Sequence, residues 1–298
     1  MTATVQSLLP SVTRWVLECE SIKSAVLFGS SVRSDNGAST IDQWSDIDLH
    51  VVANKPRDME RIDWGRALPG VQFCMQATRA ATGGVRKVTA VFTIGQVDMI
   101  VVPEQALRLG FFALRCGLNR HVRFLDVAFN EMATCLHSGY TFIKGEENVG
   151  HIYARVASLP GVRLQDTELI SMANVALCEL LWILQKLKRG EVVAGQHALH
   201  LRLVDSNLRF WREIRLRRGL PVPSFGLAPR LEVLKTPLDR KLISISATAT
   251  PNELQEAAIQ CLEGLRIMMA ELVPGWSIPP LMAQVLESHF EPPLKPGS

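Results

Sequence analysis

Short β-branched runs alternate with helical patterns over the first hundred residues, whereas a helical period of hydrophobic positions dominates from about Glu104 onward. The pattern predicts a helix over 5–20, strands over 24–28, 46–52, 87–93 and 97–102, and a helix over 57–65. Gly95 lies between the last two strand-like runs and is typical of a hairpin turn. The first part of the chain therefore combines strands with helices around them.

The second part of the chain carries long helical patterns. They predict helices over 166–189, 194–217 and 251–272, and a Pro-rich connection over 221–229. Asp166 or Thr167 can cap the first of these helices, and Gly190 follows cationic residues in its last turn. The tail over 291–298 is expected to fray. The predicted fold class is α+β, with a mixed-sheet domain over 1–103 and an α-helical bundle domain over 104–298.

Composition narrows the class of protein. The 298 residues are 47% hydrophobic and 20% charged, which excludes a disordered or collagen-like chain and favours two domains with large cores. Lys and Arg exceed Asp and Glu by only three, which excludes a polybasic nucleic-acid scaffold.

Cysteine spacing and the apolar segments bear on location. The six cysteines are widely separated and form no Cys-x-x-Cys pair, so they indicate reduced thiols without a disulfide framework or zinc site. The most apolar segment, 169–187, is interrupted by Glu179 and Lys186 and is therefore interpreted as a buried helix, not a membrane span. The N-terminal segment has no export signal, so a cytoplasmic protein without membrane attachment is expected.

A turn and two aspartates carry the chemistry of the first part. The strand over 24–28 ends at Gly29-Ser30, and the next strand holds Asp46 and Asp48 two residues apart. Because strand side chains alternate between faces, the two carboxylates project from one face and repel each other. Divalent cations relieve that repulsion, and Mg²⁺ prefers a few carboxylates together with phosphate oxygens. The pattern favours a site for a metal and a nucleotide.

Asp98 is a third acid, in an otherwise apolar segment where a charge needs a partner. If its strand lies beside that of Asp46, it can complete a carboxylate triad, ligate one ion and accept a proton from an acceptor hydroxyl. Gly29 permits close backbone approach, Ser30 adds a hydroxyl, and Arg33 adds a cation for a triphosphate. Each feature alone has an ordinary explanation, as a turn, a solvated strand end or a hydrogen-bonded strand residue. Their combination is far more specific.

Taken together, Gly29-Ser30, Asp46-Ile47-Asp48 and Asp98 resemble the motif of the DNA polymerase β nucleotidyltransferase superfamily, over about residues 22–102. The resemblance implies a polymerase β palm-like mixed sheet with flanking helices. It also implies that the first two aspartates hold two metal ions, that the third joins them, and that the Gly-Ser turn binds the nucleoside triphosphate. The implied cofactor is Mg²⁺, which Mn²⁺ could replace, with ATP as co-substrate.

Within that superfamily, the chain most resembles aminoglycoside 6-adenylyltransferases of the streptomycin-modifying type. The resemblance is carried by the segments 42–48, 63–64, 97–98 and Gln76, and more faintly by 179–182 and 187–191 in the second part. Two departures stand out. The interval between Gly-Ser and the aspartates has 15 residues, 31–45, which is longer than usual, and Ser31 replaces an arginine often found there. Arg33 is the residue that could supply the phosphate contact instead.

The resemblance implies an enzyme that transfers a nucleoside monophosphate, AMP from ATP, to a hydroxyl of a small acceptor and releases pyrophosphate. An aminoglycoside-like acceptor would make it an antibiotic-resistance protein. Gly29, Ser30, Ser31 and Arg33 would bind the nucleotide. Two alternatives stay open: a protein or RNA acceptor, although the near-neutral charge argues against nucleic acid, and a non-catalytic nucleotide-binding or antitoxin-like module. The oligomeric state is not indicated.

Acceptor recognition is sought in the second part. Glu179 and Lys186 lie seven residues apart, close to two helical turns, and can border a polar cleft together with Trp182. A polycationic sugar would need carboxylates such as Glu179 for its ammonium groups. In the alternative interpretation, Glu179 pairs with a neighbouring cation and Trp182 belongs to the core.

Overall fold

The computed structural model describes residues 5–32, 34–35, 38–39, 45–220, 222 and 245–290. The chain divides into two compact units, Met1–Val162 and Arg163–Ser298. The predicted Pro-rich connection over 221–229 falls outside the described residues except for Val222, and the tail over 291–298 falls outside them entirely.

The first unit is built on a mixed sheet. Its helices are α1 (Val5–Glu18), α2 (Pro56–Met59), α3 (Trp64–Ala67), α4 (Glu104–Arg115), α5 (Arg123–Leu136) and α6 (Glu146–Ala157). Its strands are β1 (Ile22–Phe28), β2 (Ser34–Asp35), β3 (Ala38–Ser39), β4 (Ile47–Ala53), β5 (Phe73–Ala80), β6 (Arg86–Phe92), β7 (Gly95–Pro103) and β8 (Thr141–Lys144). Six strands form one sheet in the order β5-β6-β7-β4-β1-β8, and β2 and β3 form a separate two-stranded sheet. The predicted mixed sheet with flanking helices is confirmed.

Alternation along the strands gives each face of the large sheet its own core. On β4, Ile47, Leu49 and Val51 are fully buried in the cluster that receives Trp15 of α1 and Trp64 of α3. The intervening residues of β4 point to the opposite face, where a second cluster packs under α4, α5 and α6. Full burial of such aliphatic side chains contributes about 1.5–3 kcal/mol each, so the two faces fix the strand register.

Strand pairing brings three chain segments together at one end of the sheet. β4 is antiparallel to β1, with Phe28 opposite Asp48, and parallel to β7, with Asp48 opposite Asp98. The expectation that the strand of Asp98 lies beside that of Asp46 and Asp48 is therefore confirmed. The end of β1 and the starts of β4 and β7 converge at this point.

The boundary between the two units falls at 162/163, whereas the sequence pattern placed it near Pro103. The helical segment after Pro103 returns to the sheet, because β8 pairs with β1 and Tyr153 of α6 packs in one cluster with Val26 of β1 and Val52 of β4. The chain periodicity marks where strands give way to helices, but not which core those helices join. The assignment of catalysis to 1–103 and acceptor binding to 104–298 stays a prediction.

The second unit is helical in its described residues. Its helices are α7 (Asp166–Lys188), α8 (Val192–Ala198), α9 (Asp205–Arg217), α10 (Pro251–Leu272) and α11 (Pro280–Phe290). By length and composition α7 could cross a membrane. In the structure, Leu169, Leu180 and Ile183 of this helix are buried in a core shared with α9 and α10, in line with the predicted buried helix. The N-cap of α7 is Gln165, not Asp166 or Thr167, because Gln165 and Glu168 form a reciprocal capping box.

Two predicted helices differ in detail from those observed. The helix predicted over 194–217 consists of α8, a π-helical segment Leu199–Val204 and α9. Buried residues recur every four positions along this stretch, at Gly195, Leu199, Leu203 and Asn207. A π-helical turn is wider than an α-helical turn and therefore keeps this spacing on one face. The helix predicted over 57–65 is divided into α2 and α3, because the Asp63 carboxylate accepts a hydrogen bond from the Arg66 amide and starts a new helix.

Candidate functional site

Asp46, Asp48 and Asp98 form a compact group of carboxylates. Each offers an oxygen atom within 4.8 Å of those of the other two. Asp46 and Asp48 are partly exposed, and Asp98 is 5% exposed. At such separations, two carboxylates repel each other by about 3 kcal/mol at an effective dielectric constant of about 20. The structure therefore brings together the three acids that the sequence singled out.

Strand geometry explains why these side chains meet. Ile47 and Leu49 are fully buried on one face of the sheet, so Asp48 between them points to the other face. Asp98 stands directly opposite Asp48 on the parallel strand β7 and shares that face. Asp46 immediately precedes β4 and reaches the group from its edge. The group opens towards solvent on the side of Asp46 and Asp48.

The Gly-Ser turn packs against Asp48. Gly29 begins a one-turn 3₁₀ helix, Gly29–Ser31, and has a left-handed backbone with φ +72°. A β-carbon on Gly29 would lie 2.3 Å from the Asp48 Oδ2 atom. Glycine is required on both counts, and the close approach that the sequence predicted for it is present.

The other residues predicted to bind nucleotide take different positions. Ser30 lies within the 3₁₀ turn, and the Ser31 hydroxyl donates to the Asp46 main-chain carbonyl at 3.4 Å. Ser31 therefore links the turn to the segment that precedes β4. Arg33 falls outside the described residues.

Asp98 has polar partners that the sequence pattern missed. Gln96 Nε2 donates to Asp98 Oδ1 at 3.1 Å, and Lys87 Nζ forms an ion pair with Asp98 Oδ2. Gln96 precedes Asp98 by two residues, so strand alternation already places both on one face. Lys87 lies on β6, and only the register of the hairpin brings it near. The buried charge of Asp98 therefore has the partner of opposite sign that an apolar strand requires.

α5 covers the same region of the sheet with Cys135. Burial, followed by the negative charges of Asp48 and Glu131, raises the pKa of the Cys135 thiol to about 11. A thiol in such surroundings stays protonated at neutral pH and is a poor nucleophile. Cys135 therefore serves as packing beside the carboxylates.

Deeper on the same face of β4, His50 is hydrogen-bonded to the Tyr153 hydroxyl of α6. Burial lowers the pKa of His50 to about 4 and raises that of Tyr153, so both side chains are neutral at physiological pH. The pair links the centre of the sheet to α6 two residues from Asp48. It is a structural contact beneath the carboxylate group.

The predicted acceptor-binding residues all lie on α7 of the second unit. Both Glu179 carboxylate oxygens accept hydrogen bonds from Arg202, and Lys186 pairs with Glu191. Two cations lie over the Trp182 ring: the Lys186 ammonium is 5.1 Å from the ring centroid, and the Arg202 guanidinium is 5.7 Å from it. The alternative interpretation of Glu179 as the partner of a neighbouring cation describes its contacts here. Acceptor binding by these residues stays a prediction.

The donor set of the carboxylate group suits a hard divalent cation. Three carboxylates from neighbouring backbone positions supply oxygen ligands of the kind that Mg²⁺ and Mn²⁺ take, without the sulfur or imidazole that zinc favours. Gly29 lets the Gly29–Ser31 turn approach Asp48 closely. Asp46, Asp48 and Asp98 could hold one or two such ions.

Comparison with known proteins gives likenesses at the level of solved structures. No family model matches the chain, and neither does any curated protein with which it was compared. An aminoglycoside 6-adenyltransferase from Bacillus subtilis is similar with a TM-score of 0.40 and 10% sequence identity, covering 95% of this chain and 96% of that one. A nucleotidyltransferase-like protein from Exiguobacterium sibiricum is similar with a TM-score of 0.32 and 14% identity, covering 89% of this chain and 75% of that one.

Proposed function

We propose that this chain is a metal-dependent nucleotidyltransferase that transfers AMP from ATP to a hydroxyl group of a small acceptor and releases pyrophosphate. The observation that carries the proposal is the grouping of Asp46, Asp48 and Asp98 within 4.8 Å beside a turn that only glycine can form. The sequence resemblance adds the class of acceptor, an aminoglycoside-like antibiotic.

The three aspartates would hold two Mg²⁺ ions, and ions in that position neutralise and orient a triphosphate. The protein contributes the fixed geometry. The β4–β7 register keeps Asp48 and Asp98 side by side, so a triphosphate bound at this group would have a defined orientation. The amides of Gly29–Ser31 would donate to the phosphate oxygens and stabilise the charge that moves to pyrophosphate.

Asp98 is the candidate that accepts the proton of the acceptor hydroxyl as its oxygen attacks the α-phosphorus. It is the most buried of the three acids and is oriented by Gln96, which holds Oδ1. The P–O bond to pyrophosphate breaks as the bond to the acceptor oxygen forms, so no covalent enzyme intermediate is required. Asp98 would thus combine a ligand role with that of a base.

Acceptor binding by Glu179, Trp182 and Lys186 remains part of the proposal. Because Glu179 and Lys186 already have partners of opposite charge, a cationic acceptor would have to replace Arg202 at Glu179. A Glu179→Gln variant with a raised KM for acceptor and an unchanged KM for ATP would support this role.

The test is incubation of the purified chain with ATP, Mg²⁺ and a panel of aminoglycosides that includes streptomycin, followed by mass spectrometry for the mass of the added nucleotide. Asp48→Asn is the matched control, because it keeps the shape of the side chain and removes a ligand charge. A product formed by the wild type and lost in the variant supports the proposal.

If the wild type binds ATP with Mg²⁺ but modifies no member of the panel, the aminoglycoside acceptor is wrong, and protein or RNA acceptors are tested next. If Mg²⁺-dependent ATP binding is absent by calorimetry, the enzyme proposal fails in favour of a non-catalytic module.

A further inference from the structure

Lys87 is the charged residue of β6 that reaches into the carboxylate group. β6 and β7 are antiparallel, with Thr89 directly opposite Asp98 and Lys87 opposite Ile100. Residues 87 and 89 share a face, so Lys87 is a diagonal neighbour of Asp98 and within reach of a long side chain. Its ammonium contacts Asp98 Oδ2.

This ion pair is largely removed from solvent. The side chain of Lys87 is 18% exposed and that of Asp98 is 6% exposed. The attraction between them is therefore screened less than that of a surface pair. The ammonium also acts on the wider group, since its charge lowers the pKa of Cys135 against the opposing effects of burial and of Asp48.

The pair leaves Asp98 with both oxygens in use. Gln96 holds Oδ1 and Lys87 holds Oδ2. A cation approaching the three carboxylates thus meets a competing ammonium at Asp98. Lys87 also reduces the charge of the group from three negative charges to two, which lowers its attraction for any further cation.

We propose that Lys87 competes with a divalent cation for Asp98 and thereby sets the affinity of the metal position next to that residue. The inference rests on the proposed function, because it takes the three aspartates as metal ligands. Lys87 acts through Asp98 and is a positioning residue. Its ammonium must move away from Oδ2, towards solvent or phosphate oxygens, before Asp98 can ligate an ion there.

The first experiment measures Mn²⁺ affinity without nucleotide, by electron paramagnetic resonance of the free ion, in the wild type and in Lys87→Met. Methionine keeps an unbranched side chain of similar length without the charge. We expect the variant to bind Mn²⁺ about tenfold more tightly or better, the scale on which neighbouring groups tune metal sites. Lys87→Arg restores the charge and should return the affinity to that of the wild type.

Arg86→Met is the matched control, since Arg86 is adjacent on β6, its side chain is 54% exposed, and it lies 3.9 Å from Glu60. It should leave Mn²⁺ affinity unchanged. If the wild type binds Mn²⁺ and Lys87→Met binds it equally or more weakly, Lys87 does not compete and the inference is overturned while the proposed function stands. If neither the wild type nor folded Lys87→Met binds Mn²⁺ without nucleotide, the inference is overturned, and Mg²⁺-dependent ATP binding decides the proposed function separately.

A second measurement uses the wild-type protein and so does not depend on the folding of a variant. Amine acetylation followed by peptide mass spectrometry reports the accessibility of each lysine, with exposed Lys55 as internal reference. Saturating Mn²⁺ should raise the labelling of Lys87 relative to Lys55, because the ammonium leaves Asp98. Unchanged labelling of Lys87 at a Mn²⁺ concentration shown to saturate the protein contradicts the inference.

Discussion

Gly29 and Asp48 approach each other so closely that a β-carbon on Gly29 would lie 2.3 Å from Asp48 Oδ2. The contact arises because Phe28 is the antiparallel partner of Asp48, so the residue after β1 must turn directly across the carboxylate. The turn and the carboxylate therefore form one unit, and the position of one determines the position of the other.

Gly29→Ala should combine a stability loss with loss of metal binding. The left-handed backbone costs about 1–2 kcal/mol for alanine, and overpacking against Asp48 adds about 1–3 kcal/mol. Asp48 would have to move, so Mn²⁺ affinity should fall as well. Urea unfolding and Mn²⁺ titration measure the two effects separately.

Gly117→Ala is the control for the backbone term. Gly117 has φ +69°, and a β-carbon there would have no atom within 4 Å. It should show only the cost of the left-handed conformation and keep full Mn²⁺ affinity. Equal stability losses in the two variants, with Mn²⁺ binding retained in Gly29→Ala, would contradict the steric argument.

Gln76→Leu should destabilise the first unit without affecting metal binding. The buried Trp64 indole N–H donates to Gln76 Oε1 at 2.6 Å, and the Gln76 amide donates to the Glu60 carbonyl at 2.8 Å. Removal leaves the indole donor unpaired at a cost of about 1–3 kcal/mol. Urea unfolding should show this loss, whereas Thr78→Val, an exposed position on the same strand, should change stability by less than about 0.5 kcal/mol. A Gln76→Leu variant as stable as the wild type would show that the Trp64–Gln76 hydrogen bond does not stabilise the first unit.

Much of the site could be predicted because it depends on local rules. Alternation in β4 fixes where Asp48 points, and an isolated charge in an apolar strand identifies Asp98. A Gly directly after a strand marks the tight turn at Gly29. Each of these requires only the order of residues along one strand.

What escaped prediction depends on register or on side-chain partners. Lys87 could be assigned to Asp98 only with the β6–β7 pairing known. Trp64 and Gln76, which contributed to the family resemblance, turn out to be hydrogen-bonded to each other within the fold. The first unit extends past Pro103 to Val162 because the four-residue strand β8 pairs with β1, more than a hundred residues away in the sequence. Hydrophobic periodicity carries no signal for such a contact.

The buried His50–Tyr153 pair makes stability depend on pH. The pKa of His50 is lowered to about 4 in the folded state, from 6.5 in the unfolded chain, so the unfolded state binds the proton more readily. The contribution of His50 to the free energy of unfolding is therefore fully present above pH 6.5. As the pH falls towards 4, proton binding by the unfolded chain removes about 3 kcal/mol of that free energy. Urea unfolding between pH 7.5 and about 5 should show the wild type losing stability more steeply than His50→Gln.

The control for His50 is His121→Gln, which removes an exposed histidine from the same unit. His121→Gln should retain the pH slope of the wild type, because it leaves the buried His50 in place. Parallel slopes in the wild type and His50→Gln would mean that His50 binds a proton as readily in the folded state as in the unfolded chain, which would refute the prediction.

In the second unit, Arg217 joins three helices around a buried carboxylate. Its guanidinium donates to Glu213 Oε1 at 3.1 Å and to the main-chain carbonyls of Leu164 and Leu272, before α7 and at the end of α10. The Glu213 side chain is 2% exposed. Arg217→Met should cost about 3 kcal/mol because it leaves that carboxylate buried without its cation, whereas adding Glu213→Gln should recover part of the loss. Urea unfolding of the single and double variants measures the coupling.

The control is Arg218→Met, which breaks the exposed pair with Glu271 and should cost less than about 1 kcal/mol. Equal costs for the two arginines would show that burial of Glu213 does not decide the energetics, since the surface pair has the shorter hydrogen bonds.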